Sequence, residues 1–400
     1  MSTVFVVNAG SSSLKYQLVE LASGASLASG LIERIGHVRS SAKHKNAAGG
    51  EAQEELHIQD HAQAFGWVLR QFDAVGPSLD DADMIGVGHR VVQGGSRFDR
   101  ATIIDGRVQD QIEALSPLAP LHNPANVVGI RAARAAFANL PHVAVFDTAF
   151  HLTLPPAAYT YALDRSVAEE HRVRKYGFHG TSHQFVSRRL AELVGKPLGE
   201  TNSIVLHLGN GASACAVRGG ESVETSMGMT PLAGLVMGTR TGDIDASVLL
   251  HLARNGGYSI DDLDTLLNKR SGLLGMAGSN DMRDVRASAG AGVEAARVAL
   301  ETYTYRIRGV VGQYMAQLGR TDALAFTAGV GENSAETRAE SLAGLESFGI
   351  VIDADRNAGT GPDGDAKERR ISADESAIAV WVVPTNEELE ISQQVAAVVA

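Results

Sequence analysis

The sequence predicts an α/β protein built from two related halves, and two hairpin patterns support this prediction. Val4 to Leu21 reads as an apolar strand, a turn with Asn8 and Gly10, and a second strand. Residues 203–216 repeat the pattern about 200 residues later, a spacing too long for a solenoid repeat. Segments with helical spacing lie between such strands. We therefore predict two duplicated halves, each opening with a hairpin.

Composition limits the function classes that need to be considered. The chain has 400 residues, of which 44% are hydrophobic and 20% charged, so it is long enough for two or three domains. The net charge of −11 argues against nonspecific nucleic-acid binding. We expect a cytoplasmic protein without membrane span or signal peptide, because no long apolar run is present. The single Cys215 excludes an internal disulfide, and we expect it to be a buried packing residue.

The first hairpin turn has the residue types of a phosphate-binding turn. Gly10 allows close approach of a ligand to the backbone, and Ser11, Ser12 and Ser13 offer hydroxyl donors. Lys15 adds a positive charge. An ordinary polar turn is the alternative, since Gly and Ser are common in turns.

The rest of the first half supplies two charged residues next to short apolar strands. Arg90 follows directly on one strand and Asp147 ends another, positions where ligands often bind in α/β sheets. Residues 36–55 are polar and rich in small residues, so we predict an exposed loop there. Helical spacing predicts a helix from His57 to Phe72, with its histidines on a solvated face.

The second half contains histidines and an arginine beside glycines. His179 and His183 precede or open a helix predicted to run from Ser182 to about Val194, with Thr181 or Ser182 as N-cap. These histidines suit either anion contact or capping combined with a buried histidine. Arg240 lies at the centre of an irregular glycine-rich turn. The acids that follow, Asp243 and Asp245, either pair with it or cap the next helix.

Three further stretches of the second half have recognisable patterns. Asp281 and Arg283 are candidates for ribose binding and base stacking. Residues 324–334 read as a strand followed by a turn and a helix, and residues 294–318 as a long core helix.

Taken together and in order, these motifs resemble the acetate and propionate kinases of the sugar kinase/Hsp70/actin superfamily. The resemblance spans essentially the whole chain and rests on the segments 8–15, 88–92, 146–151, 176–183, 207–211, 237–240, 328–333 and 384–388. It implies duplicated actin-like (ribonuclease H-like) ATPase domains, with mixed sheets, flanking helices and an active site in the interdomain cleft. The expected domains are residues 1–150 joined by the C-terminal helix 385–400, and residues 151–384. It also implies a homodimer.

The resemblance further implies the role of each site residue. The catalytic residues are Asp147, His179, Arg240 and Arg90, and the substrate pocket comprises Arg90, Val92, Leu121, Phe178 and Pro231. Asn8 and Glu387 are the implied metal ligands. The implied nucleotide-binding residues are Lys15, His207, Leu208, Gly209, Asn210, Gly211, Asp281, Met282, Arg283, Gly329, Val330, Gly331, Glu332 and Asn333.

The predicted reaction is direct, reversible in-line transfer of the ATP γ-phosphoryl group to acetate, with Mg²⁺ or Mn²⁺ as cofactor. Acetate is ionised near neutral pH, so we expect Asp147 to orient another group rather than to act as a base. Propionate is the closest alternative substrate, and a non-enzymatic actin-like ATP-binding protein is the alternative from another class. A sugar or glycerol kinase would need a more polar pocket, and the phosphate-binding loop of P-loop kinases is absent.

Overall fold

Both halves of the chain contain strands and helices. The structure, a computed structural model, describes residues 2–362, 364 and 366–400. Its strands are β1 (Thr3–Ala9), β2 (Ser13–Glu20), β3 (Ser26–Glu33), β4 (Ser40–Asn46), β5 (Glu51–Leu56), β6 (Met84–Val91), β7 (Thr102–Ile103), β8 (His142–Phe146), β9 (Asn202–Leu208), β10 (Ala212–Arg218), β11 (Glu221–Thr225), β12 (Ala323–Thr327), β13 (Arg369–Arg370) and β14 (Ala379–Val382). Its helices are α1 (His61–Val75), α2 (Gly106–Glu113), α3 (Asn123–Ala136), α4 (Pro156–Tyr159), α5 (Arg165–Glu170), α6 (Gly180–Leu193), α7 (Ala246–Asn255), α8 (Ile260–Lys269), α9 (Gly272–Ala277), α10 (Met282–Gly290), α11 (Glu294–Leu318), α12 (Ala328–Asn333), α13 (Ala335–Leu342), α14 (Ala354–Ala358) and α15 (Glu387–Val399).

The chain divides into two units. Unit 1 is formed by the residues up to Phe150 together with Asn386–Ala400, and unit 2 by His151–Thr385. In the described part of unit 1, an eight-stranded mixed sheet has the order β5-β4-β3-β2-β1-β6-β8-β7. Strand β1 pairs in parallel with β6, and β6 with β8, whereas the other neighbours are antiparallel.

Unit 2 repeats the central part of this topology. Its described residues form a six-stranded sheet of order β11-β10-β9-β12-β14-β13. Strands β9, β12 and β14 run parallel, and a hairpin on one side and a short antiparallel strand on the other complete the sheet. This is the order β3-β2-β1-β6-β8-β7 of unit 1, so the predicted duplication and mixed α/β fold class are confirmed.

The four central residues of strand β1, Val4 to Val7, are all apolar because both faces of the strand are buried there. Val4 and Val6 lie in a cluster with Ile391 and Val395 of helix α15. On the opposite face, the intervening Phe5 joins the aromatic core formed with α1 and α3. A strand covered on both faces has no need of alternating polarity.

A close helix contact fixes the end of β1. A Cβ added to Gly129 in α3 would lie 2.2 Å from the Cβ of Ala9. Real Cβ atoms do not approach so closely, so glycine is required for α3 to pack against the residue that leads into the first turn. Asn126, one helical turn earlier, donates to the carbonyl of Ala9 at 2.8 Å.

Three predictions about the elements are wrong. Residues 36–55 contain strands β4 and β5 rather than a loop; the inward side chains of β4 are Ser40, Ala42 and His44, which hide the usual apolar alternation. Helix α1 begins at His61 instead of His57 because Asp60 caps it. Helix α6 begins at Gly180, with His179 at the N-cap position.

No helix within the described residues has the length and apolar character needed to cross a membrane.

Candidate active site

The first hairpin turn of unit 1 is held by side chains from two helices. His61 donates from Nε2 to the carbonyl of Gly10 at 2.9 Å. Its side chain is buried rather than on the solvated face that helical spacing predicted. Asn126 donates to Ala9 and accepts from the backbone N–H of Val92 at 3.1 Å. It therefore connects the turn after β1 with the residue that follows β6.

Arg90 and Asp147 form a buried bidentate pair at the ends of two parallel strands. Arg90 lies within β6, one residue before its end, and Asp147 follows β8 directly. Arg90 Nε and Nη2 donate to the two carboxylate oxygens at 2.9 and 2.7 Å. Asp147 is only 2% exposed and Arg90 22%. Because the strands are parallel, their carboxyl ends meet at one sheet edge.

The surroundings shift the pKa of both partners. Burial alone would lower the pKa of Arg90, but the carboxylates of Asp147 and Glu387 raise it overall. Burial raises the pKa of Asp147, and the Arg90 guanidinium opposes this effect. With both of its oxygens engaged by Arg90, Asp147 is arranged to hold the arginine.

Asn8 and Glu387 have the ligand chemistry of a hard divalent cation. Asn8 pairs with Lys15 across the hairpin, and Lys15 forms an ion pair with Glu388, the neighbour of Glu387. Among the described residues, the polar contact of the Glu387 carboxylate is a long one, 3.8 Å from Arg90 Nε. One amide and one carboxylate fit Mg²⁺, which binds few protein ligands and keeps waters and phosphate oxygens. Within the described residues, no group of three or more His, Cys, Asp or Glu is placed to hold a metal.

The four residues assigned to an apolar substrate pocket have different environments. In unit 1, Val92 is buried whereas Leu121 is 53% exposed. In unit 2, Phe178 is buried, and its carbonyl accepts from His151 Nε2 at 2.9 Å. Pro231 is partly buried, and its carbonyl accepts from Arg240 at 2.8 Å.

Arg240 is a largely buried cation without a counter-ion in the described part of the chain. Its Nη1 donates to the Pro231 carbonyl and contacts the sulfur of Met237. Burial lowers its pKa. The following acids do not neutralise it, since Asp243 accepts from Gly234 N–H and Asp245 caps α7. Such a guanidinium is suited to receive an anion.

His179 presents one ring edge to the same space as Arg240. A Cβ added to Gly211 would lie 3.5 Å from His179 Nε2 and 3.6 Å from Arg240 Nη1. The absent side chain of Gly211 thus leaves room where the His179 ring and the Arg240 guanidinium converge. The opposite ring edge of His179 is held by Ser213, whose Oγ lies 2.9 Å from Nδ1.

Strained backbone marks two of the candidate segments. His179 has a φ of 56°, and Ala328, the first residue of α12, has a φ of 63°. Residues other than glycine adopt this left-handed conformation rarely, and such outliers cluster at functional sites. Below His179, the ring of His207 stacks at a centroid distance of 4.2 Å.

A cavity of about 780 Å³ lies within unit 2. Part of its wall was assigned to the nucleotide from the sequence: Gly209, Asn210, Asp281, Met282, Arg283, Gly329, Val330 and Asn333. The other lining residues had not been assigned to the nucleotide: Gly238, Leu273, Asn280, Arg286, Tyr303, Ser334 and Glu336. Gly238, Asn280 and Ser334 lie in or beside segments that the sequence pattern had singled out, whereas the other four come from helices and loops with no motif.

The remaining nucleotide candidates do not line this cavity. Glu332 accepts from the N–H groups of Ala328 and Thr385, so it fixes the end of β12 beside that of β14. His207 bonds to Ser182 at 2.8 Å. Lys15 belongs to unit 1 and is engaged by Glu388. Also absent from the lining are Leu208, Gly211 and Gly331.

Asp281 is engaged by a neighbouring arginine. Its two oxygens accept from Arg283 Nε and Nη2 at 3.0 and 2.6 Å, and it also accepts from the Arg283 backbone N–H. These contacts lower the pKa of Asp281 to about 2. Both side chains remain solvent-accessible at the cavity wall.

Comparison with known proteins gives a consistent result over the full length. A sequence model of the Acetokinase family matches residues 3–393. The acetate kinase of Leifsonia xyli subsp. xyli is 58% identical, with 100% of each chain covered. The crystal structure of Porphyromonas gingivalis acetate kinase superposes with a TM-score of 0.94 at 40% identity, and a propionate kinase from Francisella tularensis with 0.92 at 38%, each pair covering 100% of both chains. The chain therefore belongs to the acetokinase family.

Proposed function

We propose that this chain transfers the γ-phosphoryl group of ATP to acetate, reversibly and in the presence of Mg²⁺, giving acetyl phosphate and ADP. Family membership supports a phosphotransferase with a carboxyl acceptor. The observation that carries the mechanism is the convergence of His179 and Arg240 on the space left by Gly211. Phosphoryl transfer depends mainly on positioned donors that neutralise charge, and two such donors are present.

Arg90 is proposed to bind the acetate carboxylate, with Asp147 as its positioning residue. Acetate needs no base, because a carboxylic acid of ordinary pKa is ionised at neutral pH. Arg90 uses Nε and Nη2 for Asp147, which leaves Nη1 without a hydrogen bond to a described residue. That nitrogen can donate to the substrate while the pair with Asp147 fixes the guanidinium plane.

His179 and Arg240 are proposed to donate to the oxygens of the transferred phosphoryl group. The cavity of unit 2 is proposed to take the nucleotide, with Met282 and Leu273 as apolar wall and Asp281 near the ribose. Asn8 and Glu387 would hold the Mg²⁺. A bound Mg²⁺ neutralises phosphate charge and orients the phosphate oxygens.

The function is tested first by trapping acyl phosphate with hydroxylamine. Purified protein with Mg-ATP is incubated in parallel with acetate, propionate or butyrate. We expect the highest kcat/KM with acetate. A single methylene is worth only about 1–3 kcal/mol of discrimination, roughly 10- to 200-fold.

Each result of this assay has a distinct meaning. A preference for propionate would retain the mechanism and change the substrate, and the similarity to a propionate kinase makes this the specific alternative. No product with any acid, while ATP still binds, would contradict the proposal and favour a non-enzymatic ATP-binding protein.

Asp147→Asn tests whether the carboxylate charge holds Arg90. Loss of the charge should weaken the bidentate pair, lower kcat and raise KM for acetate, with a combined loss of roughly 100-fold or more in kcat/KM. KM for ATP should change little. Asp99→Asn is the matched control, because Asp99 makes the same bidentate contact with Arg100 on the surface. Equal, small effects of the two variants would remove Asp147 from the mechanism.

Gly211→Ala tests the space shared by His179 and Arg240. The added Cβ would meet ordinary van der Waals contacts at 3.5–3.6 Å, so the free energy of unfolding should change little. The methyl group would occupy the proposed phosphoryl position, and a displacement of about 1 Å can lower kcat by roughly 100-fold. Gly312→Ala is the control, since a Cβ there meets nothing within 4 Å. If Gly211→Ala kept the wild-type kcat, the phosphoryl group would not bind in the space beside Gly211.

We further propose that two copies of the chain associate through helix α7. None of the side chains of α7 is buried, although Val248 and Leu250 are apolar. Leu250 is 53% exposed, and Ile260 at the start of α8 is 85% exposed. Exposed apolar side chains concentrated on neighbouring elements favour an interface with a second copy.

Leu250→Glu should convert a dimer into a monomer, because it places a charge in the apolar contact. Sedimentation velocity of the wild type should give twice the mass of one chain, and the variant should sediment as one chain. Ser247→Glu on the same helix should leave the wild-type mass unchanged. A monomeric wild type would refute the dimer, and a dimeric Leu250→Glu variant would place the interface elsewhere.

A further inference from the structure

The histidine proposed to contact the phosphoryl group is linked to a second histidine through one hydroxyl. Ser213 Oγ lies 2.9 Å from His179 Nδ1 and 2.7 Å from His183 Nε2. Ser213 and His183 are fully buried. All three residues belong to unit 2. We propose that His183 and Ser213 are positioning residues that hold His179 as the tautomer with its proton on Nε2.

The hydroxyl of Ser213 has a single hydrogen, and this restricts the protons on both histidines. A serine can donate one hydrogen bond, so at least one of the two histidine nitrogens that contact Oγ must donate to it. If both nitrogens donated, the hydroxyl hydrogen of the buried Ser213 would have no acceptor among the described residues, so only one of them donates. Either His183 donates and Ser213 gives its hydrogen to His179, or the direction is reversed. The two directions place opposite tautomers at His179.

The surroundings of His183 select the first direction. Its other nitrogen, Nδ1, is buried and has no hydrogen-bond partner among the described residues. The reverse direction would place a proton there and create a buried donor without an acceptor, and orphaned donors are rarer than orphaned acceptors. His183 also lies in the first turns of α6, where the helix dipole disfavours added positive charge.

His183 is therefore neutral with its proton on Nε2, and burial supports this by lowering its pKa well below the usual range. Its Nε2–H donates to Ser213 Oγ, and the serine hydrogen points to His179 Nδ1. A neutral His179 must then carry its proton on Nε2. This is the nitrogen 3.5 Å from the Cβ position of Gly211, on the side of Arg240.

The hydrogen bonds from His183 through Ser213 to His179 form a relay. Its direction decides whether His179 attracts or repels a phosphoryl oxygen. With the proton on Nε2, the ring donates a hydrogen bond toward the oxygen. In the other tautomer, a nitrogen lone pair would face the oxygen, and the interaction would be repulsive. The proton stays on His179 throughout, so the relay sets a dipole and transfers nothing.

The inference rests on the proposed role of His179, and it is tested by Ser213→Ala. The variant should lower kcat by roughly 10- to 100-fold, which is less than the 100- to 1,000-fold typical of deleting a transition-state donor outright. KM for ATP and acetate should stay within about twofold, because the donor acts mainly in the transition state.

Ser222→Ala is the matched control. Ser222 is also a buried serine of the unit 2 sheet that bonds to a buried histidine, at 2.8 Å from His151 Nδ1. Its loss should cost similar stability in urea unfolding and leave kcat near the wild-type value. Equal kcat losses in the two serine variants would overturn the proposal.

Two substitutions at His183 separate the proton direction from packing. His183→Gln offers a side-chain N–H near the former Nε2 and should restore most of kcat, whereas His183→Leu should resemble Ser213→Ala. If the glutamine and leucine variants are equally impaired while both remain folded, donation by His183 is not the operative feature.

The tautomer itself is measured on the wild type, independently of turnover. In ¹⁵N-histidine-labelled protein, assigned with His179→Gln, Nδ1 of His179 should show the shift of an unprotonated nitrogen and Nε2 that of a protonated one. The reverse pattern would overturn the relay even if the enzyme is active. An inactive wild type with the expected pattern would reject the proposed function and leave the relay intact.

Discussion

A partly buried guanidinium, Arg240, with no carboxylate partner among the described residues is the feature on which the proposed chemistry of unit 2 depends. Removing such a charge from water costs several kcal/mol even after relaxation, and Arg240 recovers part of this by donating to Pro231. Arg90 in unit 1 is balanced differently, since Asp147 neutralises it. The protein itself thus compensates Arg90, whereas in the proposed mechanism Arg240 is compensated by the bound anion. Anion binding should therefore stabilise the folded state as well as align the substrate.

The duplicated sheet explains why the candidate residues occur where they do. In each unit, a hairpin strand and two parallel neighbours direct their carboxyl ends to one edge. In unit 1 that edge carries Asn8, Arg90 and Asp147 at or near the ends of β1, β6 and β8. In unit 2 the corresponding strands lead into Gly209 and Ala328 after β9 and β12. Parallel pairing gathers polar residues that are far apart in sequence at one edge of the sheet, while the middle of β1 remains apolar.

Local patterns determined how much of this could be predicted from the sequence. Both hairpins and the long helix α11 were predicted, because turn residues and apolar periodicity are properties of neighbouring residues. Strands β4 and β5 were missed because the buried face of β4 contains a serine and a histidine, whose burial is made possible by partners such as Tyr16 on another strand. Motifs named His179 and Arg240, but not the hydrogen-bond partners of His179. Which nitrogen of a histidine faces which hydroxyl is a property of the folded chain.

In the proposed mechanism, the hydrogen bonds around His179 serve both stability and catalysis. Acetate has few atoms with which to bind, so most of the rate enhancement must come from donors fixed before it arrives. The buried hydroxyl of Ser213, between His179 and His183, can donate only one hydrogen bond. Once one histidine nitrogen donates to this hydroxyl, the direction of the hydrogen bond to the other histidine is fixed. The bonds that make burial of His183 and Ser213 tolerable thereby also orient the dipole at His179. A substitution that satisfies these groups in the opposite direction can preserve the fold and still reverse the dipole facing the phosphoryl group.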